Sequence, residues 1–164
     1  MYTTVIKTPL GSIQAAADTA LTGLWFTGQK YFPEDAESWQ FVPENDPVFL
    51  PLKKWLKEYF SGKEPETKVQ LSPRGTKFQQ AVWKLLLEIP YGRTTSYGAI
   101  AARLNSDGIK ASAQAVGGAV GHNPISLIIP CHRVLGADGS LTGYAGGLDK
   151  KTALLKMEKA DFKK

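Results

Sequence analysis

Residues 125–134 constrain the fold of this chain more than any other stretch. Residues 125–129 are apolar but for Ser126, as in a short buried strand, and Pro130 would end that strand because proline cannot donate to a sheet. The only cysteine, Cys131, follows at once and precedes His132, one of two histidines. The sequence therefore predicts a rigid element that presents a cysteine and a histidine at its end.

Two interpretations of Cys131 follow from these residues alone. The thiolate is the nucleophilic form of cysteine, and an adjacent imidazole lowers the thiol pKa from its free value of about 8.5. An isolated cysteine is nevertheless more often a small buried apolar residue. If His132 activates Cys131, we expect a thiol pKa well below the free value.

The cysteine count also predicts the compartment. One cysteine cannot form an internal disulfide, which favours a reducing cytoplasm. So few Cys and His residues make a structural zinc site unexpected, and no metal or cofactor is implied. No apolar run has the length of a membrane span, and residues 1–5 lack the pattern of a signal peptide. We expect a cytoplasmic monomer without membrane association.

Charge is distributed unevenly along the chain. Residues 1–71 carry 7 basic and 9 acidic side chains, whereas residues 72–164 carry 13 basic and 6 acidic ones. The two parts therefore have net charges of −2 and +7, and all four arginines lie in the second. This asymmetry favours a polyanionic partner such as nucleic acid for the second part, although a solvated basic face would give the same count.

The sequence of the first part predicts a small antiparallel sheet followed by a helix. Three short strands are predicted over residues 2–7, 12–17 and 21–26. Asp46 and Pro47 form a helix start, and apolar residues at helical spacing continue to Gly62. Residues 63–72 are polar and predict a linker. The expected domains are therefore residues 1–71, with a structural role, and residues 72–164.

The sequence of the second part predicts a helical domain. Thr76 and Gln79 fit a capping box before an apolar helix face that ends at Pro90. Ser96 and Ser112 each precede a further short helix, which suggests a helix-turn-helix. The second of these helices is rich in small residues and cannot read many base edges, so DNA binding with little sequence preference is expected. The predicted class is α/β (α+β), with a winged-helix-like second domain.

Three motifs resemble those of the O6-alkylguanine-DNA alkyltransferase family. These are Pro-Cys-His-Arg-Val at residues 130–134, Gly-His-Asn-Pro at 121–124 and Gly-Tyr-Ala-Gly-Gly at 143–147. The resemblance extends from Thr76 to about Glu158. It implies that residues 72–164 bind double-stranded DNA and accept an alkyl group from O6-alkylguanine, with O4-alkylthymine as a second candidate substrate. Such a protein needs no cofactor and is consumed by its reaction.

The resemblance also implies roles for single residues. Cys131 would attack the alkyl carbon, His132 would take its proton through a water, and Glu158 would orient the imidazole. Asn123 would brace the active-site turn, and Tyr97 would approach the guanine and a phosphate. The base pocket would be formed by Tyr144, Ala145, Val134, Val120 and Gly146, with Gly146 and Gly147 leaving it roomy at the alkyl end.

DNA contacts are implied for Gln114, Ala115, Gly118, Tyr97 and Arg133. Gln114 stands where the family often has an arginine that fills the gap left by the flipped nucleotide. Its amide carries no charge, so this position departs from the pattern. His122 stands where a small residue is common; we expect it near phosphate or solvent, without a catalytic role.

Two other classes of protein would explain part of the sequence. A helix-turn-helix regulator accounts for the basic part but not for Cys131 beside His132. A cysteine hydrolase accounts for that pair but not for the basic helix-turn-helix, and it would turn over many substrate molecules. Relatives that bind lesions without repairing them lack the cysteine, which is present here.

Overall fold

The computed structural model describes residues 1–163 and begins with a four-stranded sheet. Strands β1 (Tyr2–Thr8), β2 (Gly11–Ala17) and β3 (Leu21–Phe26) pair antiparallel, as predicted. Gly11 has a φ of 112°, which lets the chain turn tightly between β1 and β2. A short strand that was not predicted, β4 (Gln40–Phe41), pairs parallel with β1 and completes the order β3-β2-β1-β4.

Helix α1 (Leu50–Phe60) packs its apolar face into the core. A 3₁₀ turn at Pro47–Phe49 precedes it, where the Asp46 side chain accepts a hydrogen bond from the Val48 amide. This confirms the predicted start, and Gly62, with a φ of 87°, follows the end of the helix. The buried face of α1 consists of Leu52, Trp55, Leu56 and Tyr59.

The predicted linker runs alongside the sheet. The Leu21 amide donates to the Gln70 carbonyl at 2.9 Å, and the Ser72 amide donates to the Leu21 carbonyl at 2.7 Å. Glu58 of α1 also accepts from the amide and hydroxyl of Thr67. The segment is therefore held against the start of β3.

Between residues 72 and 163 the second part contains four α-helices: α2 (Lys77–Leu86), α3 (Tyr97–Ser106), α4 (Ala113–Gly121) and α5 (Leu148–Met157). The capping box of Thr76 and Gln79 is present, and Ser96 and Ser112 cap α3 and α4. Helices α3 and α4 form the predicted helix-turn-helix. Two short strands, β5 (Thr95–Ser96) and β6 (Val134–Leu135), pair parallel beside it.

The prediction of a strand over residues 125–129 is wrong, because these residues form a turn. Ile125 makes a single bridge to Leu24 of β3, and the chain then turns at Leu127, whose φ is 71°. Within this turn the Ile128 amide donates to the Ser126 carbonyl at 2.8 Å. The run is apolar because it is buried. Its backbone hydrogen bonds are made within the turn, to Asn123 and, from the Ser126 amide, to the Leu24 carbonyl of β3 at 2.9 Å.

One apolar core joins the two parts of the chain. The largest cluster of buried side chains includes Phe26 and Leu52 from the first part and Val82, Val116 and Leu154 from the second. Such a shared core fixes the first part against the helices of the second. Over residues 1–163, no helix is both long and apolar enough to cross a membrane.

Candidate active site and DNA interface

Cys131 begins a 3₁₀ turn, Cys131–Arg133, and lines a cavity of about 240 Å³. Only 5% of the residue is exposed. The turn therefore presents the thiol to this cavity and not to open solvent. The other lining residues are Lys30, Tyr31, Tyr97, Gly117, Val120, Gly121, Gly143, Tyr144 and Ala145.

Asn123 holds the turn that leads to Cys131. Its side-chain amide donates to the Ile129 carbonyl at 2.8 Å and to the Ile125 carbonyl at 3.3 Å, and its oxygen accepts from the Ile125 amide at 3.0 Å. Asn123 is 4% exposed and lies two residues after α4. A buried amide that meets its hydrogen-bonding needs on one turn fixes that turn relative to the helix.

The imidazole of His132 is bonded to Glu158, which follows α5. Nε2 of His132 lies 2.6 Å from Oε2 of Glu158, and both side chains are fully buried. Three further groups donate to this carboxylate: the guanidinium of Arg133 (2.8 and 3.2 Å), the Gly92 amide (3.1 Å) and the Tyr59 hydroxyl (2.6 Å). Glu158 therefore organises a buried network that includes the predicted base.

Burial favours the neutral form of His132 in this network. Burial acts to raise the pKa of Glu158, but the hydrogen bonds and charges of His132 and Arg133 outweigh it and lower the pKa to about 2. Burial lowers the pKa of His132, against the opposing effect of Glu158. Because a carboxylate only accepts, the shared proton belongs to Nε2, and Nδ1 is left as an acceptor. That nitrogen is buried without a hydrogen-bond partner among residues 1–163.

Arg133 corrects the predicted DNA contacts. Besides its bonds to Glu158, its guanidinium donates to the Ile89 carbonyl at 2.8 Å, and only 8% of the residue is exposed. A guanidinium used in this way cannot reach a phosphate. Its charge balances the buried carboxylate instead.

The thiol pKa also differs from the expectation. Burial raises the pKa of Cys131, and the nearby Asn123 and Lys151 side chains offset this only in part. No hydrogen bond joins His132 to Cys131 within the described residues. In the resting protein the cysteine is therefore a thiol, and the prediction of a lowered pKa before DNA binds is wrong.

Lys151 is a buried cation that the sequence interpretation missed. The residue is fully buried in α5, and its ammonium donates to the Val134 carbonyl at 2.6 Å. Burial lowers its pKa to about 8. In the sequence, Lys150 and Lys151 form an ordinary basic pair on a short helix, and no local pattern marks the second as buried.

Four of the predicted base-pocket and leaving-group residues line the cavity: Tyr97, Val120, Tyr144 and Ala145. The Tyr97 hydroxyl lies 2.7 Å from the Thr142 hydroxyl oxygen. The Tyr144 hydroxyl is buried without a hydrogen-bond partner within residues 1–163, and burial raises its pKa well above the ordinary value. Val134 is not a lining residue; its side chain is buried and its carbonyl accepts from Lys151.

Gly146 has a different function from the one expected. It does not line the cavity around Cys131. A Cβ atom at this position would lie 2.8 Å from Phe26 and 3.0 Å from Tyr144, which is too close. The missing side chain lets β3 approach the loop and does not widen the cavity. Gly147, with a φ of 103°, precedes α5.

A loop from the first part of the chain forms one wall of the cavity, which the sequence interpretation also missed. Lys30 and Tyr31 are lining residues, and the Lys30 amide donates to the Ala145 carbonyl at 3.2 Å. The Tyr31 ring stacks on the exposed His122 ring with centroids 3.9 Å apart. His122 thus lies at the surface, as expected, but against an aromatic side chain.

Helix α4 presents small residues to solvent beside the cavity. Gln114, Ala115 and Gly118 are exposed, whereas Val116, Ala119 and Val120 are buried. A Cβ atom added to Gly118 would meet no heavy atom within 4 Å. Internal packing therefore does not require glycine here, but a DNA backbone lying against the helix would.

We predict that Gly118→Leu weakens binding to duplex DNA by about tenfold or more, or about 1.4 kcal/mol. The bulky side chain would separate α4 from the groove. The melting temperature should stay the same or rise, since leucine has the higher helix propensity. Fluorescence anisotropy and thermal melting check this, with Gly118→Ala as the smaller step. An unchanged dissociation constant would show that DNA does not approach this face.

Comparison with known proteins agrees with this arrangement. The family model for the 6-O-methylguanine DNA methyltransferase ribonuclease-like domain matches residues 1–73, and the model for the DNA-binding domain of the same family matches residues 77–160. Methylated-DNA–protein-cysteine methyltransferases of Mycobacterium tuberculosis and Methanosarcina acetivorans are 47% and 45% identical. These matches cover 94% and 96% of this chain, and 90% and 98% of those proteins.

Solved structures give the same result. The crystal structure of Mycobacterium tuberculosis OGT in complex with DNA has a TM-score of 0.84 at 44% identity, covering 97% of this chain and 93% of that one. An O6-methylguanine DNA methyltransferase from Methanococcus jannaschii has a TM-score of 0.65 at 28% identity, covering 98% and 95%. By sequence, fold and the cysteine site, this chain belongs to the 6-O-methylguanine DNA methyltransferase family.

Proposed function

We propose that the protein repairs DNA by transferring an alkyl group, methyl above all, from O6 of a damaged guanine to Sγ of Cys131. The observation that carries this proposal is the position of the only cysteine. It lines a cavity bounded by helix α4, and the next residue in the chain, His132, is bonded to Glu158. Family membership argues against the regulator and the hydrolase.

The transfer is a single displacement. Sγ attacks the alkyl carbon, a carbon–sulfur bond forms, and the bond from that carbon to O6 breaks with its electron pair passing to the purine. The thiol proton goes to Nδ1 of His132, through a water, and a proton returned to the purine gives neutral guanine. The thioether product has no leaving group that water could displace, so each protein molecule reacts once.

We propose that the buried thiol stays unreactive until a substrate base enters the cavity. Burial raises the pKa of Cys131, so the thiolate forms only when a base and a substrate are both in place. Lys151 lies close enough to oppose this shift. We propose that its ammonium stabilises negative charge on the sulfur, as fixed positive charges do in water-excluded sites.

Substrate must leave the DNA stack to reach this thiol. Cys131 is 5% exposed, and O6 of a paired guanine is shielded inside the duplex. We propose that α4 enters a groove and the damaged nucleotide rotates into the cavity between Tyr97, Val120 and Tyr144. Removal of the base from the stack costs a few kcal/mol, which an inserted side chain offsets.

Gln114 is exposed on α4 and is proposed to occupy the gap. Gln114→Ala should slow repair of duplex DNA while leaving the reaction with a free O6-alkylguanine base unchanged, because the free base needs no extrusion. Gln114→Arg should match or exceed the parent protein on duplex, since arginine adds a planar charged fork. Single-turnover rates measure both. Equal duplex rates for the parent and Gln114→Ala would show that another residue fills the gap left by the flipped nucleotide.

Domain division and location are proposed with the function. We propose two domains, residues 1–71 and 72–164, and the residues matched by the two family models support this division. We also propose that the protein acts as a monomer in the cytoplasm, where a reducing environment keeps the one free cysteine available.

Stoichiometry tests the proposed function. Protein is mixed with a large excess of duplex carrying O6-methylguanine, and restored guanine is counted over time. We expect a plateau at one guanine per protein molecule, because the acceptor is not regenerated. Continued release after that plateau would indicate a true hydrolase and would overturn the proposal.

A further inference from the structure

A tyrosine of the first part of the chain reaches the centre of the network behind Cys131. The hydroxyl of Tyr59 in α1 donates to Oε2 of Glu158 at 2.6 Å, across 99 positions of sequence. Tyr59 is fully buried, and its ring stacks on Trp55 with centroids 5.1 Å apart. The hydroxyl is therefore held firmly on the carboxylate.

The same carboxylate oxygen serves the imidazole. Oε2 accepts from Tyr59 at 2.6 Å and from Nε2 of His132 at 2.6 Å. A hydrogen bond from a neutral hydroxyl withdraws negative charge from a carboxylate. Oε2 then attracts the imidazole proton less, and an imidazolium beside it is stabilised less.

Other groups also act on the pair, and one of them shares Oε2 with Tyr59: Nη2 of Arg133 donates to it at the longer distance of 3.2 Å. Arg133 and the Gly92 amide also donate to Glu158, while the Lys151 ammonium acts on His132 from α5. The Tyr91 hydroxyl is buried without a partner within the described part of the chain. Burial and the Glu158 charge raise the pKa of Tyr59 far above its ordinary value, so its hydroxyl stays protonated and can always donate.

We infer that Tyr59 is a positioning residue for alkyl transfer: by holding Oε2 of Glu158 and reducing its charge, it keeps His132 neutral and able to accept the thiol proton. The first part of the chain then contributes to the chemistry and is more than the structural domain that the sequence predicts. This inference rests on the proposed role of His132 as the base.

The pH dependence of single-turnover repair tests the inference. With saturating methylated duplex, the acid limb of the rate profile reports protonation of His132. In Tyr59→Phe, Oε2 of Glu158 loses the hydroxyl hydrogen bond and carries more negative charge. The pKa of His132 should then rise, and the acid limb should move upward by roughly half a pH unit or more. The control is Tyr91→Phe. It removes the hydroxyl of the neighbouring Tyr91, which has no hydrogen-bond partner among the described residues, and should keep the pH profile of the parent protein.

Two further variants keep the outcomes distinct. 3-Fluorotyrosine placed at position 59 is a stronger donor and should move the acid limb downward, which decides the matter if Tyr59→Phe does not fold. His132→Gln should be slow at every pH. If His132→Gln reacts like the parent protein, the proposed base is wrong. If it is slow while both Tyr59 variants keep the parent acid limb, the inference about Tyr59 alone is overturned.

Discussion

Glu158→Ala is expected to lower the free energy of unfolding by about 3 to 5 kcal/mol, because it leaves the buried guanidinium of Arg133 without its counter-charge. Arg133 is 8% exposed and cannot turn to solvent without opening the core. His132 would lose its partner as well, so repair should be nearly abolished in whatever protein remains folded. Urea unfolding and single-turnover repair measure the two effects.

Glu88→Ala is the matched control for this change. Glu88 lies 3.9 Å from Arg103 and is 55% exposed, so its ion pair is screened by water. Loss of such a pair costs at most about 1 kcal/mol. Equal destabilisation by Glu88→Ala and Glu158→Ala would contradict the idea that Glu158 neutralises a buried charge.

The same carboxylate predicts how stability depends on pH. Its pKa is about 2 in the folded protein against an ordinary 4.5. A lowered acid pKa gives stability that is fully present above pH 4.5 and is lost as the pH falls toward 2. The loss should total roughly 3 kcal/mol in the parent protein and should be missing from Glu158→Ala.

Cys131→Ala is expected to abolish alkyl transfer while leaving duplex binding intact. Without the sulfur there is no nucleophile in the cavity, whereas α4 and its exposed residues stay in place. Gel shift and restored-guanine assays on the same methylated duplex separate binding from repair. Transfer that persists in Cys131→Ala would place the acceptor on another residue, and loss of binding would give the cysteine a structural role.

Local patterns predicted the elements that depend on local chemistry. The hydroxyls of Thr76, Ser96 and Ser112 each accept a hydrogen bond from the first turn of a helix, as their spacing indicates. The strand prediction for residues 125–129 failed because a buried turn and a buried strand are equally apolar. The difference here is made by Asn123. Its side chain bonds to the Ile125 amide and the Ile129 carbonyl, backbone groups that in a strand would pair with a neighbouring strand.

The chemical site was only partly predictable. The motif places Cys131 and His132 together, and the resemblance adds Glu158 and Asn123. Lys151 and Tyr59 were missed because their partners are set by tertiary packing, 17 positions away in one case and 99 in the other. Arg133 was assigned to DNA on the resemblance, and its burial follows from its bonds to Glu158.

The resting state of the thiol could not be predicted from neighbours in sequence. Adjacent residues in a 3₁₀ turn do not point in the same direction, so His132 faces Glu158 while Cys131 faces the cavity. Burial then determines the pKa of Cys131 and raises it. The proposed activation therefore requires substrate and water in the cavity, and the sequence shows neither.

The central claim is that Cys131 itself is the final acceptor of the alkyl group. The most direct test is the intact mass of the protein after mixing with an equimolar duplex carrying O6-methylguanine, followed by mapping of the modified peptide. We expect all of the protein to gain one CH₂ unit, as methyl replaces the thiol hydrogen, and the gain to lie on Cys131. An unchanged protein mass alongside repaired DNA, or a methyl group on any other residue, would contradict it.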